Sequence, residues 1–295
     1  MKHRKHPNFL MVGAAKAGTT SIAKYLEEHP EIFISEEKEP FYFVSDLMRE
    51  LPKGDLMREI IGKKMRADAN SYYSMFDNVS LEKRSGEATV HYLFHYKEVI
   101  PRVKTELGDI SIVIVLRDPS VRAFSNYMFQ KRIEMGSFEE SLAKEEEKKS
   151  QGWNSFWFYK EQGNYFESVK AYLDNFSQVH ICFFEDLKKD PNKFMSEMYR
   201  FLEVDTGFTP KTNVKHNPTL VPKNKLIKGL YYLKFKYNLK FGLPGFMKRG
   251  LMSASVKKGE DKIENGTLKD LRAYYKPNIQ KLENLLNKDL SSWYD

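Results

Sequence analysis

The sequence predicts an α/β fold, with a mostly parallel central sheet flanked by helices on both faces. Three observations carry this prediction. A short apolar run, Phe9–Gly13, leads into a glycine-bearing turn and then an amphipathic stretch beginning at Thr19. A β-branched run, Ile110–Leu116, has the continuous apolar character of a strand covered on both sides. Strand-like runs then alternate with helical ones along the chain, the order that generates parallel pairing through crossover helices.

The elements follow in order. Ile22, Ala23, Tyr25 and Leu26 have helical spacing, and His29-Pro30 ends that helix. Glu31–Ser35 reads as a short strand, and residues 46–82 as mixed helices and loops without strong periodicity. After the Ile110–Leu116 strand, a helical stretch runs to Arg132. Further helices are expected near Phe138–Lys149, Asn164–Asn175, Pro191–Leu202 and Leu268–Asn287, with a second buried strand at Val179–Phe184. No repeat or linker divides the chain, so residues 1–295 are expected to form one domain. Residues 223–250 stand apart as a basic, aromatic insertion. There Lys225, Lys228, Lys234, Lys236 and Lys240 alternate with Leu230, Tyr231, Tyr232, Phe235, Tyr237 and Phe241. Such a stretch suits an anionic polymer or a peripheral membrane contact, or else an amphipathic helix whose lysines are simply solvated.

Composition bounds the function classes. Lys and Arg number 48 against 40 Asp and Glu, a net charge of +8 that favours anionic partners. Cys182 is the only cysteine, which excludes an internal disulfide and a thiolate metal cluster. The apolar run behind the basic N-terminus is too short for a signal peptide, and no run reaches membrane-spanning length. A cytoplasmic location is the expectation.

Two segments carry the chemistry. The turn after Phe9–Gly13 has Lys16, Ala17, Gly18, Thr19, Thr20 and Ser21 at a helix N-terminus, a P-loop-like anion cradle of backbone N–H groups and hydroxyls. A nucleotide-triphosphate loop has its lysine directly after the second glycine. Thr19 takes that place here and the lysine sits inside the turn, which speaks against a kinase using ATP and magnesium. The second segment is Arg117–Ser125. Arg117 stands at the C-terminal end of a predicted strand, where open parallel sheets bind ligands, and Ser125 lies two helical turns on. Arg and Ser suit a terminal phosphate. Taken alone, Arg117-Asp118 also fits a local salt bridge and Ser125 a plain helix serine.

Together these segments resemble the sulfotransferase family that uses 3′-phosphoadenosine 5′-phosphosulfate (PAPS), closest to its carbohydrate-modifying, heparan-type and bacterial glycan branch. Lys16–Thr20 is similar to the family's 5′-phosphosulfate loop, and Arg117–Ser125 to its 3′-phosphate segment. Phe184–Leu187 and Tyr274–Trp293 are similar to later family segments. The resemblance implies PAPS as co-substrate, PAP as product, no metal and a carbohydrate or glycolipid acceptor; nucleic acid is not among the implied partners. It gives Lys16 the bridging oxygen of the phosphosulfate, and Arg117 and Ser125 the 3′-phosphate. Lys38–Phe43 is similar to a Lys-Glu-x-x-Phe-Phe segment whose glutamate is the general base, which makes Glu39 the candidate; a solvated carboxylate is the plain alternative. Gly86–Leu93 is similar to the acceptor-binding segment, matching at Glu87, Thr89 and Tyr92, with Ala88 in place of a lysine and Val90 in place of a proline. His91 is the second candidate base. Lys258-Gly259 is similar to a late Lys-Gly loop that closes on the co-substrate. A kinase and a non-catalytic glycan- or membrane-binding protein are the other readings; the first lacks its lysine and the second leaves both phosphate segments without a purpose.

Overall fold

The computed structural model describes residues 5–131, 133–212, 220–236, 256–259 and 261–295. Five parallel strands form the central sheet: β1 (Phe9–Gly13), β2 (Ile32–Ile34), β3 (Arg84–Ala88), β4 (Ser111–Leu116) and β5 (Val179–Phe183). Their order is β2-β3-β1-β4-β5. The longer helices around the sheet are α1 (Thr19–Glu27), α2 (Tyr96–Glu106), α3 (Pro119–Gln130), α4 (Phe166–Asn175), α5 (Pro191–Phe201), α6 (Lys225–Lys236) and α7 (Asn265–Leu286).

This order fixes where a ligand can enter. After β1 the chain crosses to β2 and β3 on one side, and after β4 to β5 on the other. The C-terminal ends of β1 and β4 therefore flank a topological switch point, the crevice where open parallel sheets bind ligands. Both strands are buried along their whole length, as their apolar runs predicted. They pair Leu10 with Ile112 and Met11 with Val113, then shift register before Gly13. The Ala14 N–H continues the pairing to the Val115 carbonyl at 2.7 Å, so the loop leaves the sheet still tied to β4.

β3 was not predicted as a strand. Arg84-Ser-Gly-Glu-Ala lacks β-branched residues, and its place in the sheet comes from packing. A Cβ on Gly86 would fall 2.4 Å from the Phe9 ring, so glycine lets that ring lie across the strand. Two other expectations need correction. The helix expected over Phe138–Lys149 is two short helices, Phe138–Ala143 and Glu145–Ser150, which part at Lys144. β5 is an edge strand, so its first three residues are only half-buried.

A small antiparallel pair, β6 (Leu220–Pro222) with β7 (Val256–Lys258), brackets the basic insertion. Of that insertion α6 is described, and it exposes Leu226 (76%), Leu230 (55%) and Leu233 (43%). Tyr237, Lys240 and Phe241 lie outside the described residues.

Candidate active site

The turn Ala14–Gly18 rises from β1, and α1 begins at Thr19 with Gly18 as its left-handed N-cap (φ 86°). Lys16 is left-handed too (φ 68°), and the turn leads into the N-terminus of α1, whose leading N–H groups have no partner one turn back in the helix. Glycine is required at position 18 twice over. Its φ favours glycine, and a Cβ would lie 2.8 Å from the Phe184 ring.

Across the switch point, β4 ends at Leu116 and Arg117 follows. Its Nη1 donates to the Lys16 carbonyl at 2.9 Å, and its guanidinium lies 4.6 Å from the centre of the Phe184 ring. Burial lowers its pKa, opposed chiefly by Glu185. Asp118 caps α3, accepting from the Ser120 N–H (2.8 Å) and the Val121 N–H (3.2 Å), with Pro119 at the first helical position. That cap directs α3 so that Ser125 and, one turn later, Phe129 face the crevice. The Lys16 Nζ lies 4.1 Å from the centre of the Phe129 ring.

Glu39 reaches the same space from the segment after β2. Glu39 (φ 64°) and Phe41 (φ 55°) both hold left-handed backbone around Pro40, a strain of about 1–3 kcal/mol each that the surrounding contacts must offset. The Glu39 N–H donates to the Ala88 carbonyl (3.1 Å), and the Val90 N–H donates to Glu39 Oε2 (3.0 Å). Burial raises the Glu39 pKa, while Lys38 and the Val90 N–H pull it back. Lys38 was not singled out from the sequence. Its ammonium donates to Thr20 Oγ1 (2.6 Å) and Thr19 Oγ1 (3.1 Å) and lies 3.8 Å from Glu39 Oε1.

A cleft of about 930 Å³ joins these groups. Lys16, Gly18, Thr19, Thr20, Ser21, Glu39, Arg117 and Ser125 all line it, and Lys38, Lys64 and Lys188 add positive charge. Apolar side chains line it as well, among them Phe41, Met57, Ile60, Ile61, Phe129 and Phe156. Ala17 is buried behind the turn.

Other predicted residues sit elsewhere. Glu87, Thr89 and Tyr92 are fully buried. Thr89 Oγ1 donates to Glu87 Oε2 at 2.8 Å, and burial pushes the Glu87 carboxyl up to about 8. Tyr92 OH takes the Phe43 N–H at 3.4 Å. His91 is buried between the Phe41 and Phe156 rings, with Nδ1 3.0 Å from Ser155 Oγ, and His95 reaches the same hydroxyl at 3.1 Å. Burial, helped by His95, holds His91 well below the usual histidine pKa. Lys258 lies in β7 with its backbone against Leu220, and Gly259 follows it.

Residues 6–282 match the model of the sulfotransferase domain. The crystal structure of a sulfotransferase from Alicyclobacillus acidocaldarius is 33% identical, covers 99% of this chain and 100% of its own, and superposes with a TM-score of 0.76. The sulfotransferase domain from the curacin biosynthetic pathway shares the fold at 13% identity and a TM-score of 0.50, covering 97% of this chain and 99% of its own. A curated protein of Dictyostelium discoideum, described as the membrane-associated sulfotransferase kil1, is 32% identical over 123 residues. That match takes in 42% of this chain and 23% of kil1, so it spans less than a quarter of the curated relative. Matched over nearly all of its length by the domain model, and a third identical to a structure it covers end to end, the chain belongs to the sulfotransferase family.

Proposed function

We propose that this chain works as one sulfotransferase unit, moving a sulfuryl group from PAPS to a hydroxyl of a carbohydrate or glycolipid by in-line displacement. The observation that carries this reading is the convergence of Lys16, Glu39, Arg117 and Ser125 on one cleft at the switch point. PAPS supplies the activated sulfuryl group. The turn's N–H groups and hydroxyls hold its 5′ end, and Arg117 with Ser125 holds the 3′-phosphate that ordinary adenine nucleotides lack. Glu39 takes the proton of the acceptor hydroxyl as that oxygen bonds to sulfur. The sulfur–oxygen bond to the 5′-phosphate breaks, its electron pair stays on the phosphate, and Lys16 neutralises the charge that develops there. Glu39 is favoured over His91, which packs behind Phe41 with its ring bonded to Ser155.

The apolar side chains that share the cleft with its charged groups support an amphipathic acceptor, and within the proposed class that means a glycolipid. The exposed leucines of α6, at helical spacing among lysines, support a peripheral contact with an anionic lipid surface. Among the described residues no helix is long and apolar enough to cross a membrane.

Two measurements test the reading. PAP should raise the melting temperature strongly and ATP with magnesium little. Labelled PAPS should sulfate glycolipid micelles, and Lys16→Ala should lower turnover by about a hundredfold or more with acceptor binding intact. Equal or absent thermal shifts, with no label transferred to any hydroxyl acceptor, would reject it.

A further inference from the structure

Lys38 lies on neither phosphate-binding segment proposed above, yet its ammonium links the loop's first helical turn to Glu39. On one side it donates to Thr19 and Thr20 Oγ1, in the first turn of α1 where the 5′-phosphate leaves. On the other it lies 3.8 Å from Glu39, where the acceptor oxygen gives up its proton. In an in-line displacement the entering oxygen, the transferred atom and the leaving oxygen share one line. A cation in reach of both ends of that line stands beside its middle. We propose that Lys38 is a catalytic residue that contacts the sulfonate oxygens during transfer, an inference that rests on the sulfotransferase reading above.

The charges around it make the timing specific. Before transfer Lys38 faces the Glu39 carboxylate, and the positive charge of Lys64 acts on both members of the pair. Attraction to Lys38 opposes the burial that would otherwise neutralise Glu39. When Glu39 takes the acceptor's proton, that attraction lapses, and burial, which already lowers the Lys38 pKa, leaves the ammonium in need of another anion. The ammonium then has only the sulfonate oxygens and the loop hydroxyls to answer it, as the old sulfur–oxygen bond breaks and its electrons pass to the phosphate. One charge thus serves the base first and the transferring group afterwards. Lysine at this place also answers a gap nearby. Ala88, whose carbonyl holds the Glu39 N–H, carries only a methyl group where the resembling segment has a lysine.

The test separates PAPS from PAP, which differ by the sulfonate alone. Calorimetric titration without acceptor, on Lys38→Met and Lys38→Arg, reads binding independently of turnover. Lys38→Met should weaken PAPS about tenfold or more and PAP less than about twofold, a loss suited to one charged contact. Lys38→Arg should keep most of the PAPS affinity. In the pH–rate profile the acid limb of Lys38→Met should move to higher pH, because Glu39 loses the neighbour that keeps it ionised, and Lys38→Arg should restore it. Equal weakening of PAPS and PAP would make Lys38 a brace of the loop and overturn the proposal, as would unchanged affinities with an unmoved acid limb. Failure of the unaltered protein to bind either nucleotide would remove the sulfotransferase reading itself, and this inference with it.

Discussion

Replacing Glu87 by glutamine should make the protein more stable at alkaline pH than it now is. The carboxyl is fully buried, and burial lifts it from the usual 4.5 to about 8 despite its bonds to Thr89 and Tyr72. A carboxyl with a raised folded pKa favours the protonated native state. Its contribution is complete below pH 4.5, the unfolded value, and disappears as pH rises through 8. At about 1.4 kcal/mol for each pH unit, the full difference is worth roughly 5 kcal/mol, of which relaxation around the ionised group will leave about 2–5. Glutamine keeps the shape and cannot ionise. Urea unfolding at pH 5, 6.5 and 8 should show the unaltered protein losing stability across that range, while Glu87→Gln stays nearly level. PAP affinity should be unchanged, since the side chain is not among those that line the cleft. Parallel stability curves for the two proteins would refute the reasoning and point to a carboxylate already ionised by a partner.

Gly18→Ala should cost about 2–4 kcal/mol, from left-handed backbone and from a methyl group forced against the Phe184 ring, and Phe184→Leu in the same chain should recover part of it. Denaturant midpoints check this; a cost below about 0.5 kcal/mol would mean that the turn rearranges freely. Glu39→Gln should keep nucleotide affinity and lose about a hundredfold or more in rate, whereas His91→Ala should keep most of its rate. Because burial raises Glu39 and the base works only when ionised, the unaltered enzyme's rate should fall as pH drops through a value above 4.5. A fall in rate confined to His91→Ala would move the base there.

The parts of this fold legible in the sequence are those whose signals are local. β1 and β4 announce themselves because strands covered on both faces carry apolar residues at every position. α1 shows its apolar spacing, and Asp118-Pro119 marks the start of α3 before any contact is known. β3 stays hidden because nothing in Arg84–Ala88 favours extended backbone; Gly86 belongs in the sheet only because Phe9 crosses it. The site divides in the same way. Lys16, Arg117 and Ser125 follow from loop and strand-end chemistry. The link between Lys38 and Thr20 joins two segments on opposite flanks of β3, and only the strand order brings them together. Glu87 matches an acceptor-binding segment in the sequence, and its full burial is not legible there, since burial of a carboxylate leaves no local mark.

Phe184 has one face against Gly18 and the Arg117 guanidinium within 4.6 Å of its centre. Gly18, Arg117 and Phe184 lie far apart in the chain, yet they cannot drift independently. A larger residue at 18 demands a smaller one at 184, and a smaller one at 184 strips the arginine of the surface it rests on. The three positions are therefore mechanically coupled through one ring. Stability changes at the three positions should not add, and a double substitution at 18 and 184 should differ from the sum of its single ones.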